Sequence, residues 1–272
     1  MHKDLRRLTR EIRQAARDLR HGYESARLYE FRVAIRRIRS MLKHRGSKRA
    51  RRLRRTWGGF AAVTNRARDW DVFLTAAAQL LDPAELEEFK QAAEAPLQSS
   101  HDAVTRMLES ARWQAHQKEW KRFLKRASKH DGKHDGTHHG PAATQAAALE
   151  AALARAREAL STALQQSDDI AWHKFRIAVK EVRYTAEREP QPAGDTGAVV
   201  DSCKALQSLL GGWHDCVVQL QLLEQLGHST PAEGLRATIA ERRRQRLAEI
   251  RATVAGNPLF SLPRSDRRSS AA

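Results

Sequence analysis

Arg32, Arg36, Arg39 and Lys43 are spaced four, three and four residues apart. On an α-helix advancing about 100° per residue they share an arc of roughly 60° and form one cationic stripe. Phe31, Ile35, Ile38 and Leu42 fill a second arc about 100° away, the seam that an amphipathic helix buries. A later segment repeats both rows: Phe175, Val179, Val182 and Ala186 form the seam, and Arg176, Lys180 and Arg183 the stripe, with His173 one turn ahead. The chemistry open to such rows is anion binding. A guanidinium fork matches phosphate oxygens bidentately, and each charge-assisted hydrogen bond contributes roughly 1.5–3 kcal/mol.

A cationic row is ordinarily a solvated helix face when acids are interleaved with it. Here they are missing: between Arg27 and Arg68 stand fifteen Lys and Arg against one acid, Glu30. Like charges at four-residue spacing destabilise the helix that carries them, and a bound anion removes that penalty. His173, beside Arg176 and Lys180, is expected to stay neutral until a phosphate chain raises its pKa, so affinity should depend on pH. Asp69 and Asp215 follow Arg68 and His214 and precede apolar runs, which predicts N-capping. Asp71 has Val217 as its counterpart, so no duplicated metal pair exists and no catalytic site is expected.

The chain has 272 residues, 49 Lys and Arg against 32 Asp and Glu, and a net charge of +17, so a polyanionic partner is the expectation. Few aromatics and abundant Ala, Leu and Arg favour helices and nearly exclude an all-β fold. Two cysteines, Cys203 and Cys216, do not make a secreted disulfide scaffold. No apolar run reaches the roughly 18 residues of a membrane span. A soluble, unprocessed, cytoplasmic protein without a membrane partner is expected.

Apolar residues recur at spacings of three and four over 2–21, 25–47, 48–66, 69–81 and 83–127, the last with breaks expected near Pro96 and around 110–113. Residues 128–142 read as a His/Gly linker. Helices follow at 143–166, 169–188, 198–210, 213–227 and 231–255, and 256–272 reads as a disordered tail. The first half thus spans 2–127 and the second 143–255. The linker histidines His130, His134, His138 and His139 read as solvated spacer rather than a metal site. The row from Phe31 to Ser40 aligns with Phe175 to Tyr184 at an offset of 144 residues, and Arg68 to Leu74 with His214 to Leu220 at 146, which predicts one duplicated helical unit.

Phe-Arg-Val-Ala-Ile-Arg-Arg-Ile-Arg-Ser at 31–40, Arg-Asp-Trp-Asp-Val at 68–72, the row from His173 to Tyr184, and Leu-Gln-Ser-Leu-Leu-Gly-Gly-Trp-His-Asp at 206–215 together resemble the CHAD domain, a conserved histidine α-helical domain. The resemblance implies an all-α fold, a duplicated helical bundle of two four-helix-bundle-like halves with pseudo-two-fold symmetry and extra helices. It also implies that inorganic polyphosphate runs in a basic groove or channel between the halves. Carried over by position, Arg32, Arg36, Arg39, His173, Arg176, Lys180 and Arg183 are the implied contacts, with Arg68 and Lys204 as weaker ones. Tyr29 stands where His173 does in the second half, and Asn65 where Gly211 does.

A non-catalytic, polyphosphate-binding protein without cofactor or metal is therefore expected, at polyphosphate granules or in regulation. Nucleic-acid binding is the alternative, motivated by the pI and the basic run from Lys48 to Arg55. Trp57, Trp70 and Trp213 lie beside apolar runs and are expected in the core rather than as stacking platforms. A phosphohydrolase or kinase would need a phosphate-cradling glycine loop, and Gly58-Gly59 and Gly211-Gly212 have no Walker context.

Overall fold

The computed structural model describes residues 2–43, 45, 47–130, 142–187, 194–226 and 230–260. Among these, all regular structure is helical: α1 (His2–His21), α2 (Ser25–Lys43), α3 (Lys48–Val63), α4 (Asn65–Ala77), α5 (Pro83–Glu109), α6 (Ala111–His130), α7 (Ala142–Gln166), α8 (Asp169–Ala186), α9 (Gly194–Leu223) and α10 (Thr230–Ala255). A 3-10 turn, Pro258–Phe260, follows. None of the described helices is long and apolar enough to cross a membrane.

Local chemistry sets several boundaries. Asp82 accepts hydrogen bonds from the N–H groups of Ala84 and Glu85, and Glu85 accepts from Asp82 N–H in return, a capping box with Pro83 in the first turn. Asp168 accepts from Ala171 N–H at 2.6 Å and starts α8, after Ser167 turns the chain with a left-handed φ of 55°. Ser47 caps α3 in the same way, and the break expected around 110–113 falls at Ser110.

Other boundaries differ from the sequence-based ones. Helix α5 runs through Pro96, held on either side by the buried row of Phe89, Ala93, Ser100 and Val104. Helix α9 runs through Gly211-Gly212 as one helix of 30 residues. A helical glycine costs only about 1 kcal/mol relative to alanine, and the fully buried Leu210 and Trp213 hold α9 in place. Asp69 and Asp215 do not cap their helices, because α4 already starts at Asn65 and Asp215 lies inside α9. The bend from α3 to α4 is made by Thr64, fully buried, whose hydroxyl donates to Ala61 O at 2.7 Å.

The opening of the expected disordered tail is ordered: Asn257 Oδ1 accepts from Leu259 N–H, and Phe260 is buried against Phe175 at 5.8 Å. The remainder of that tail, and residues 131–141 of the expected linker with His134, His138 and His139, lie outside the described residues.

The chain forms two compact units, one of residues 1–137 with 222–235, the other of 138–221 with 236–272. In the first, the α2 seam of Phe31, Ile35, Ile38 and Leu42 is buried with α1, α3, α5 and α6. At its centre Trp57 meets Trp113 and Trp120 edge to face, and His116 is enclosed by Trp57 at 4.5 Å and Phe60 at 5.2 Å. In the second, the α8 seam of Phe175, Val179, Val182 and Ala186 packs with α7, α9 and α10. Trp57, Trp70, Trp172 and Trp213 are all core residues.

His116 is 4% exposed and neither ring nitrogen has a hydrogen-bond partner. Burial pushes its pKa down to about 4. The unfolded chain therefore binds a proton here that the folded one refuses. Stability is unaffected by this ring above pH ~6.5 and is lost as pH falls toward about 4, by up to about 3 kcal/mol. Denaturant melts of His116→Leu from pH 7 to 4 are expected to show a shallower acid decline, with stability at pH 7 equal to or above the parent, since an unpaired buried polar group is replaced.

Candidate anion-binding site

Within the first unit Arg32 and Arg39 of the α2 stripe reach α3 and the α3–α4 bend. Arg32 is half-buried, and its Nη1 donates to Thr64 Oγ1 at 2.6 Å, Asn65 Oδ1 at 2.9 Å and Ala61 O at 3.2 Å. It thus ties α2 to the α3–α4 bend as well as carrying charge. Burial lowers its pKa, Asp69 opposes that, and the cations Arg68 and Arg36 add to it. Arg36 is exposed. Arg39 lies across α3 at Gly58, where an added Cβ would sit 3.3 Å from its guanidinium carbon, and its Nε is buried without a partner. Lys43 closes the row at the exposed end of α2.

Arg68 lines a depression with Tyr29, Asp71 and Thr75. Beside it the Tyr23 hydroxyl donates to Asp71 at 2.7 Å while its ring stacks on His101 at 3.4 Å. Burial holds the pKa of both Tyr23 and Asp71 above their ordinary values.

Within the second unit, α8 and α9 run antiparallel: His173 meets His214 with ring centroids 4.8 Å apart, and Gln207 donates to Val179 O at 3.4 Å. Farther along, Arg183 lies close enough to Cys203 to act on its thiol. By that register Gly211 stands opposite Arg176, and a Cβ added at Gly211 would meet nothing within 4 Å. Burial lowers the pKa of His173, and Arg176 and Lys180 lower it further. His214 is pushed down to about 4 by burial, then by Arg176, His173 and Lys180, against the weaker pull of Asp169. Burial also lowers Arg176, with Asp215 opposing. Arg176 Nε and His214 Nδ1 are buried without partners.

His173, Arg176 and Lys180 therefore converge, joined by His214. Two expected contacts stand apart. Arg183 lies over the Tyr184 ring at 4.8 Å and 3.4 Å from the Glu187 carboxylate, and Lys204 pairs with Asp201 at 3.2 Å. His214 was legible as the counterpart of Arg68. Helix α10 adds cations that no repeat signals: Arg243 bonds the Asp169 carboxylate, and Arg242 and Arg246 act on Cys216, two residues from His214. The run Arg242-Arg243-Arg244 was their trace in the sequence.

Arg32 with Asp69 and Arg176 with Asp215 form the same arginine–aspartate association in positions that the sequence aligns. Both cysteines are buried and free, and burial raises the Cys203 thiol to about 11 and Cys216 above its usual value, so neither is an activated nucleophile. Among the described residues no three His, Cys, Asp or Glu side chains gather as a metal site.

The CHAD domain family model matches residues 3–224. A crystal structure of the CHAD domain from the plant Ricinus communis is similar over 95% of this chain and 90% of that one, at 23% identity and a TM-score of 0.65. No curated protein matches.

Proposed function

The chain belongs to the CHAD domain family, and from that membership we propose that it binds inorganic polyphosphate without chemically altering it, through the cationic clusters of its two units. The observation that carries this reading is the group His173, Arg176, Lys180 and His214, in which a partly buried guanidinium and two depressed imidazoles crowd together and Arg176 Nε and His214 Nδ1 lack partners. Poorly solvated cations are unfavourable alone and favourable against an anion, and the Arg forks and Lys ammonium suit a linear chain of phosphates. Engagement of both clusters by one long chain, in the groove implied by the resemblance, belongs to the same proposal, as does association with polyphosphate granules or a regulatory role. A long ligand held at two places gains avidity that a short one lacks.

Competition tests this reading against nucleic-acid binding. Long-chain polyphosphate is expected to displace labelled single-stranded and duplex nucleic acid at equal phosphate concentration, and no orthophosphate should be released in magnesium. Failure to displace would sink the proposal. The burial of Trp57, Trp70, Trp172 and Trp213 leaves no stacking platform among them, and Arg49 and Arg52 of the basic run already pair with Glu119.

A further inference from the structure

Helix α1 carries Arg6, Arg10, Arg13 and Arg17 at the same four-three-four spacing as the α2 stripe. Where α1 packs along α2, a groove of about 820 Å³ opens, walled by Arg10, Arg13 and Arg17 on one side and Tyr29, Val33 and Arg37 on the other. Its two acids are committed elsewhere: Glu11 pairs with Arg7 at 2.7 Å and Glu30 with Arg27 at 3.0 Å. Arg17 donates to Gln14 at 2.5 Å, while the side chains of Arg10, Arg13 and Arg37 make no hydrogen bond or ion pair among the described residues. The fold does not demand these charges. In α8 the positions aligned with Tyr29, Val33 and Arg37 are His173, Ile177 and Glu181, and Glu181 bonds Arg155 of α7 at 3.1 Å.

We propose that the α1–α2 groove is a second, separate site for a short phosphate chain, free or carried on a nucleoside. Guanidinium groups from both walls can take the chain's oxygens bidentately, and their methylenes with Val33 form an apolar floor beside it. Tyr29 is 55% exposed at the edge of the groove and offers a ring face to a base, if one is attached. This site shares its ligand chemistry with the clusters above but none of their Arg, Lys or His residues, so either can fail alone.

The test is calorimetric titration of the full chain with tripolyphosphate and with ATP, comparing the parent with Arg13→Ala/Arg37→Ala and with Arg37→Glu, which follows the aligned position of the second unit. Loss of two charged contacts is expected to weaken binding at this site at least about tenfold, with the stoichiometry falling by one. Circular dichroism checks that the exposed substitutions leave the helices intact. Unchanged affinity and stoichiometry in both variants would overturn the proposal. If ATP binds more tightly than tripolyphosphate and Tyr29→Ala removes the difference, the chain is carried on a nucleoside. If the two bind alike and Tyr29→Ala changes neither, the chain is free. Long-chain polyphosphate retained by Arg13→Ala/Arg37→Ala but lost by α8 variants separates this site from the other.

Discussion

Arg176→Ala combined with Lys180→Ala is expected to weaken long-chain polyphosphate binding by roughly two to four orders of magnitude, since two charge-assisted contacts of roughly 1.5–3 kcal/mol each are removed. Arg176 contributes most because it is partly buried: its charge is poorly solvated before binding, so an anion replaces little water. The α9 side should behave accordingly. Gly211 stands opposite Arg176 in the antiparallel register with nothing within 4 Å of an added Cβ, and Gly211→Leu is expected to place bulk there and reproduce part of the loss while every cation stays in place. Both variants leave the α8 seam untouched, so thermal melts should change little. Binding by fluorescence anisotropy with labelled polyphosphate decides the matter, and parental affinity in the double variant would refute the assignment of these residues. Lys204→Ala should be nearly silent, because its ammonium is already engaged with exposed Asp201.

Polyphosphate affinity is also expected to rise as pH falls. Free His173 and His214 both titrate below the ordinary imidazole value, His214 at about 4, so both are neutral at pH 7. A phosphate chain alongside supplies the opposite charge and raises both pKa values. Binding then takes up protons, and the sign follows: affinity increases from neutral pH down toward the depressed free-state values and levels off below them. If bound His214 returns to its ordinary value, the gain from pH 7 to 5.5 is roughly eightfold for that ring, and His173 adds a gain of the same sign. The measurement is dissociation constants across pH 5–8, with proton uptake read from calorimetry in buffers of different ionisation enthalpy. His173→Gln/His214→Gln should flatten the profile, and a flat parental profile would remove both rings from the site.

The sequence alone determined the helices and which faces they bury, because periodicity is local: the seams at Phe31 and Phe175 lie on the faces their spacing assigned. It also marked Arg32, Arg36, Arg176 and Lys180 as a repeated pattern, since a stripe is a property of one helix. Where two helices must meet, local signals stopped short. Pro96 and Gly211-Gly212 read as breaks, yet packing around Trp213 outweighs the small intrinsic cost of helical glycine, and the buried row of α5 carries that helix past its proline. Asp69 and Asp215 read as caps, yet each lies within electrostatic reach of an arginine on a neighbouring helix.

Only the tertiary structure brought His214 to His173, laid Arg39 over Gly58, and joined α1 to α2 around guanidinium groups with no acid of their own. The reason is physical. Charge and helix propensity are carried by each residue, whereas desolvation and convergence arise from side chains distant in sequence, and these decide which cations can hold an anion.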